Sequence, residues 1–117
     1  MAQMTLADLV ESLDLTVSAG AQDLAREVAG GYASDLLSDV IANSKEGDVW
    51  MTLQLHQNII AVAFLNNLAG IIIVNGRQPE EATIKKAEEQ GVVVMCSSLP
   101  TYEVAGRLYK LGVRRET

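Results

Sequence analysis

Two stretches constrain the fold more than anything else in the chain: Gly70-Ile71-Ile72-Ile73-Val74 and Val92-Val93-Val94-Met95-Cys96. Neither alternates apolar with polar residues. A strand with one face in water alternates, whereas one that does not is covered on both faces, as in a parallel sheet between helices. Three weaker segments read as further strands: Leu15-Thr16-Val17, Val28 to Tyr32, and Val49-Trp50-Met51-Thr52-Leu53. Between them lie helical patterns. Thr5-Leu6-Ala7-Asp8 is a capping box ahead of Leu6, Leu9, Val10 and Leu13 at helical spacing. Ser34 or Asp35 is expected to cap a helix with a stripe of Leu36, Leu37, Val40 and Ile41. His56 to Asn67 is apolar on more than one side, the pattern of a helix buried on both sides or used in association. Pro79-Glu80-Glu81 opens a helix that runs to Gln90, with Gly91 at its C-terminal cap, and Pro100 begins a last one with Val104, Leu108 and Leu111 inward and Gly112 after it.

Helices alternating with strands predict an α/β fold. It is a single three-layer domain over residues 1–117, with a mostly parallel sheet of about five strands joined by right-handed crossovers. The strand order is not predicted. A hydrophobic content of 49% supports a real core. With 15 acidic and 9 basic residues the net charge is −6, which disfavours nucleic-acid and anionic-membrane partners. The one cysteine, Cys96, has no intrachain partner, the N-terminus lacks a signal layout, and no apolar run reaches membrane-span length, so a cytoplasmic protein is expected.

Parallel sheets bind ligands beyond the carboxyl ends of their strands. The residues expected there are Ser34 and Asp35; Thr52, Gln54, His56 and Asn58; Asn75, Gly76 and Arg77; and Ser97, Ser98 and Thr101. Hydroxyls, amides, helix N-termini and Arg77 could together hold an anion. Taken singly, Ser, Thr, Asn and Asp after strands are more often caps and turn formers. His56 is the sole histidine and has no acidic partner near it in sequence, and no Cys/His cluster suggests a metal. Cys96 reads as a small core residue, Trp50 and Tyr32 as packing residues, and Lys85, Lys86, Glu88 and Glu89 as a solvated helix face. Phosphate-loop, dinucleotide-binding and hydrolase-elbow motifs are absent. Gly30-Gly31, without a following lysine, reads as a tight turn or a point of close backbone approach rather than a phosphate cradle.

From REVAGGYASDLLSDV through GDVWMTLQLHQNIIAVAFLNNLAGIIIVNGRQP to SLPTYEVAGRLYKLG the chain resembles the DRTGG domain family. That family's pattern has Asp-Arg before a strand and Thr-Gly-Gly after it. Arg26, Gly30 and Gly31 are kept, while Ala25 and Ala29 replace the Asp and Thr. The resemblance implies a fold like the N-terminal domain of HPr kinase/phosphorylase. It also implies a regulatory or assembly module of the kind that accompanies phosphate acetyltransferases and CBS-containing pyrophosphatases, whose catalytic portions are not found here. It suggests self-association as well. The expected function is therefore non-catalytic: a homodimer that senses a small anionic metabolite, with nucleotides first on family association, or that contacts an enzyme partner. Gly30 and Gly31 join the strand-end residues as candidate contacts, and no cofactor, metal or catalytic residue is assigned. The alternatives are a purely structural dimerisation module and, last, a small enzyme using His56, Cys96 or Asp35.

Overall fold

The structure, a computed structural model, describes residues 4–115. Its elements run α1 (Leu6–Leu13), β1 (Thr16–Ala19), a short 3-10 turn (Ala21–Asp23), β2 (Gly30–Ala33), α2 (Leu37–Asn43), β3 (Asp48–Thr52), α3 (Asn58–Leu65), β4 (Gly70–Ile73), α4 (Glu81–Gln90), β5 (Val94–Cys96) and α5 (Thr101–Leu111). They form one sheet in the order β1-β5-β4-β3-β2. Strands β2 to β5 are parallel, and β1 closes the far edge antiparallel to β5, with a register shift between Val17 and Ala19.

Each parallel strand lies beside its successor in the chain. Crossovers of one hand therefore put α2, α3 and α4 on one face, where they pack side by side. Their core holds Val40, Ile59, Ile60 and Ala87 against Trp50, Ile71, Ile73 and Val94 of the sheet. The opposite face is covered by α1 and α5, where Leu6, Leu9, Val104 and Leu108 meet Val49, Met51, Ile72 and Met95. Successive sheet residues serve opposite layers because side chains alternate across a strand. Hence Ile71, Ile72 and Ile73 are all fully buried, and the strand has no polar face to display.

Several local expectations hold in detail. Thr5 and Asp8 form the reciprocal capping box of α1, and Gly91 and Gly112 end α4 and α5 with positive φ. Others are corrected. Gly30 and Gly31 are not a turn: both are extended residues of β2, and neither has positive φ. Neither Ser34 nor Asp35 caps α2; its N-cap is Leu36, which makes no side-chain cap, because Asp35 is drawn instead to the end of β3. Leu36, Ile41 and Leu111 lie outward and exposed, so the α2 stripe narrows to Leu37 and Val40. Helix α3 is buried on one side only, with Phe64 60% and Leu65 67% exposed.

Candidate functional site

The parallel strands never reverse their order, so the sheet lacks the crevice that a doubly wound fold opens where its crossovers diverge. A shallower recess of about 350 Å3 forms instead beyond β3 and β4, lined by Asp35, Leu53, Gln54, His56, Arg77 and Glu80. The Asp35 carboxylate accepts from Thr52 Oγ1 at 2.9 Å and from the Leu53 N–H at 2.7 Å, and the Gln54 side-chain amide donates to the Asp35 carbonyl at 2.8 Å. Arg77 Nη1 donates to the Leu53 carbonyl at 2.6 Å. The His56 Nδ1 accepts from the Asn58 N–H at 3.1 Å, so this nitrogen carries no proton in that geometry.

The recess thus unites Asp35, His56 and Arg77, with the fully buried Thr52 behind it as a partner of Asp35. Asn75 and Gly76 form the expected turn, both with positive φ. Its N–H groups donate to the Leu99 and Ser97 carbonyls at 2.8 and 2.9 Å, which docks it on the loop after β5. Ser97 is buried there, and its hydroxyl accepts from the Leu99 N–H. Exposed Ser98 lies on the same loop, and half-buried Thr101 opens α5. The Ser34 hydroxyl accepts from the Leu36 N–H, and its carbonyl from the Trp50 indole. Gly30 and Gly31 stand apart: they pair with Asp48 and Val49, at the opposite end of β3 from the recess.

Among the described residues, the ring nitrogen of His56 that is paired serves a main-chain N–H, and buried Cys96 lies 3.3 Å from the Ser18 hydroxyl. Neither contact is a nucleophile–base pair. No group of His, Cys, Asp and Glu suited to a metal occurs among them.

A second cavity, of about 430 Å3, opens along β2 at the sheet's other edge. Its origin lies in the sequence of β2. On the α5 side, the column next to Val49 and Met51 consists of Gly31 and Ala33, too small to fill the space under Leu108, Tyr109 and Val113. Lys45, Arg114 and Arg115 also line it. Arg115 reaches the buried Asp48 with Nη2 at 2.7 Å and Nε at 3.2 Å, and the other carboxylate oxygen accepts from the Lys45 N–H at 2.9 Å. Arg114 sits 5.0 Å over the Tyr109 ring and donates to the Tyr109 carbonyl at 2.8 Å. On the α2 side of β2, the Tyr32 hydroxyl donates to Asp39 at 2.8 Å. That bond holds the Asp39 carboxyl below its usual range, helped by Ser34 and Asn43, and pushes the Tyr32 hydroxyl up.

Sequence reading missed this edge because Asp48 and Arg115 meet across 67 positions. Its one local trace was Gly30, where an added Cβ would lie 2.9 Å from Asp48 Oδ1 and 3.0 Å from Arg115 Cγ. Arg26, the retained arginine of the family pattern, donates to the carbonyls of Ala69 and Gly91, just ahead of β4 and β5. It therefore ties loops together at the amino end of the sheet.

These features define a small three-layer α/β module with polar and apolar recesses at its sheet margins. The DRTGG domain family matches residues 8–111, and the chain belongs to that family. Among solved structures, the chain is similar to the CBS and DRTGG domains of the regulatory region of Clostridium perfringens pyrophosphatase, complexed with its activator, diadenosine tetraphosphate. The two superpose with a TM-score of 0.72 at 13% identity, over 89% of this chain and 45% of that one. The likeness therefore shows the fold, and this chain spans less than half of its neighbour's length. No curated protein matches the chain. Among the described residues no helix is long and apolar enough to cross a membrane.

Proposed function

We propose that the chain is a non-catalytic regulatory module: one domain, cytoplasmic and homodimeric, that senses a small anionic metabolite at the carboxyl ends of its strands, with nucleotides the favoured class. The observation that carries this reading is the mixed polarity of the recess beyond β3 and β4. Arg77 and the exposed His56 offer partners to an anionic group. Glu80 offers an acceptor to hydroxyls, as carboxylates do for a ribose. Asp35, already engaged by Thr52 and Leu53, acts as the brace that shapes the loop. The volume is at the small end of ligand sites. Membership in the DRTGG family and the likeness to a regulatory region that binds a dinucleotide activator support the class of ligand.

A binder of the folded state raises the melting temperature by mass action, by about 2.7 kcal/mol of stability at a hundred times Kd. Thermal melting with mono- and dinucleotides is expected to show that rise, and Arg77→Ala to reduce it at least tenfold in ligand concentration. If no nucleotide or other small anion moves the transition, the sensing reading fails. The second reading, a structural assembly module, is favoured by the exposed apolar patch of Ala61, Phe64 and Leu65 beside Lys86 and Gln90. Light scattering that finds a strict monomer at high concentration would remove it, and Leu65→Lys should split any dimer built there.

A further inference from the structure

We infer that the groove along β2 is a docking site for an extended, acidic peptide segment of a partner protein, taken up as a sixth strand. The inference is independent of the sensing recess at the other end of β3. Among the described residues, strand β2 ends the sheet with β3 as its only neighbour, so one side of its backbone has no strand to pair with. Natural sheets guard such an edge by keeping it short or with charges, proline, bulges or a covering helix. Here the strand is short and Arg115 lies over its first residue, Gly30, but Gly-Gly-Tyr-Ala carries no charge or proline, its pairing with β3 is regular throughout, and Gly31 and Ala33 are exposed.

What lies beside that edge has the two parts that strand addition uses: backbone groups for affinity and pockets for alternate side chains. The pocket floor is apolar, made by Met51, Leu108 and Val113, and it is open because Gly31 has no side chain. The charge is one-sided. Among the described residues, Lys45, Arg114 and Arg115 line the groove, the one carboxylate lining it, Asp48, is buried and paired with Arg115, and Lys45 and Arg114 are left over. Among the described residues, the Lys45 ammonium has no ion-pair partner, and the Arg114 guanidinium makes a single hydrogen bond, to the Tyr109 carbonyl. A second copy pairing edge to edge would set this basic strip against another one like it, so the strip favours an acidic occupant over a second copy of the chain itself.

The test uses the full chain and short synthetic peptides of alternating valine and threonine, closed at one end or the other by glutamates, with lysine-ended counterparts. A glutamate-ended peptide is expected to bind in fluorescence anisotropy, more weakly as salt rises, and to slow amide exchange in Gly30–Ala33. The lysine-ended peptides should bind at least about tenfold more weakly. Gly31→Val separates groove from fold. The added Cβ would meet Met51 Cε at 3.5 Å, an ordinary contact, and valine suits a strand, so melting should be unchanged or higher while peptide binding is lost. Lys45→Glu combined with Arg114→Glu should abolish the preference for glutamate. The inference is overturned if neither glutamate-ended peptide binds, if Gly31→Val binds as the parent does, or if exchange in β2 is untouched. It is equally overturned if sedimentation finds that the edge is closed by a second copy, or if inorganic phosphate or a nucleotide fills the groove while the peptides do not.

Discussion

Gly30 and Gly31 are neighbours with unrelated reasons to be glycine. Gly30 faces the Asp48–Arg115 pair, and a methyl there collides with the very oxygen that receives the guanidinium. Gly31 faces the open groove. Gly30→Ala should therefore destabilise the protein by about 1–2 kcal/mol through disruption of the pair, while Gly31→Ala stays within about 0.5 kcal/mol of the parent. Urea unfolding of the two variants checks the contrast, and equal effects would refute it. The Tyr32–Asp39 bond makes a prediction in pH. Asp39 has a lowered folded pKa, so its contribution to stability is present above its unfolded value, about 4, and is lost as pH falls through the folded one. Tyr32 has a raised pKa, so its contribution is complete below about 10 and is lost as pH climbs through the folded value. Tyr32→Phe should move the Asp39 carboxyl back up towards its ordinary value, read by carbon NMR titration. An unmoved Asp39 would show that Ser34 and Asn43, not Tyr32, set it.

Among the elements, α5 carries a residue that its own propensity argues against. Gly106 sits mid-helix and exposed, and an added Cβ would meet nothing within 4 Å. Glycine in such a position costs about 0.5–1 kcal/mol relative to alanine. Gly106→Ala should raise the stability by that amount in chemical denaturation, and a destabilised variant would mean that the outer face of α5 is covered in solution. Helix α3 shows the opposite tension. Its sequence is apolar nearly all round, yet only Ile59, Ile60, Val62 and Ala63 are buried, leaving Phe64 and Leu65 outside. Periodicity could not divide that helix into faces because it has no polar side to mark the water. Helix α2 departs from its sequence pattern for a different reason. Asp35 satisfies the Leu53 N–H at the end of β3 in preference to an orphan N–H of its own helix, a choice between local and distant donors that spacing alone does not reveal.

At the scale of the molecule, strand order sets a gradient of protection. β4 has paired neighbours on both sides and fully buried isoleucines, whereas β1 and β2 are edges. Amides that exchange only through global opening belong to such central strands, and edges open locally. Hydrogen exchange of the free protein should therefore rank β4 slowest and β2 among the fastest. A β2 as slow as β4 would mean that its edge is already covered.

The layered architecture was legible in a few segments: non-alternating Gly70–Val74 and Val92–Cys96 require covering on both faces, and Thr5/Asp8, Gly91 and Gly112 mark helix ends by local hydrogen bonding and by φ. Of the expected site, Asp35, His56 and Arg77 do converge, with Thr52 buried behind Asp35, because residues following neighbouring parallel strands leave the sheet on the same side. What the chain could not disclose locally is pairing across distance. A uniformly apolar strand carries no label for its neighbour, so the antiparallel docking of β1 on β5, the exposure of β2 as an edge and the meeting of Asp48 with Arg115 were decided only when the layers closed around the sheet.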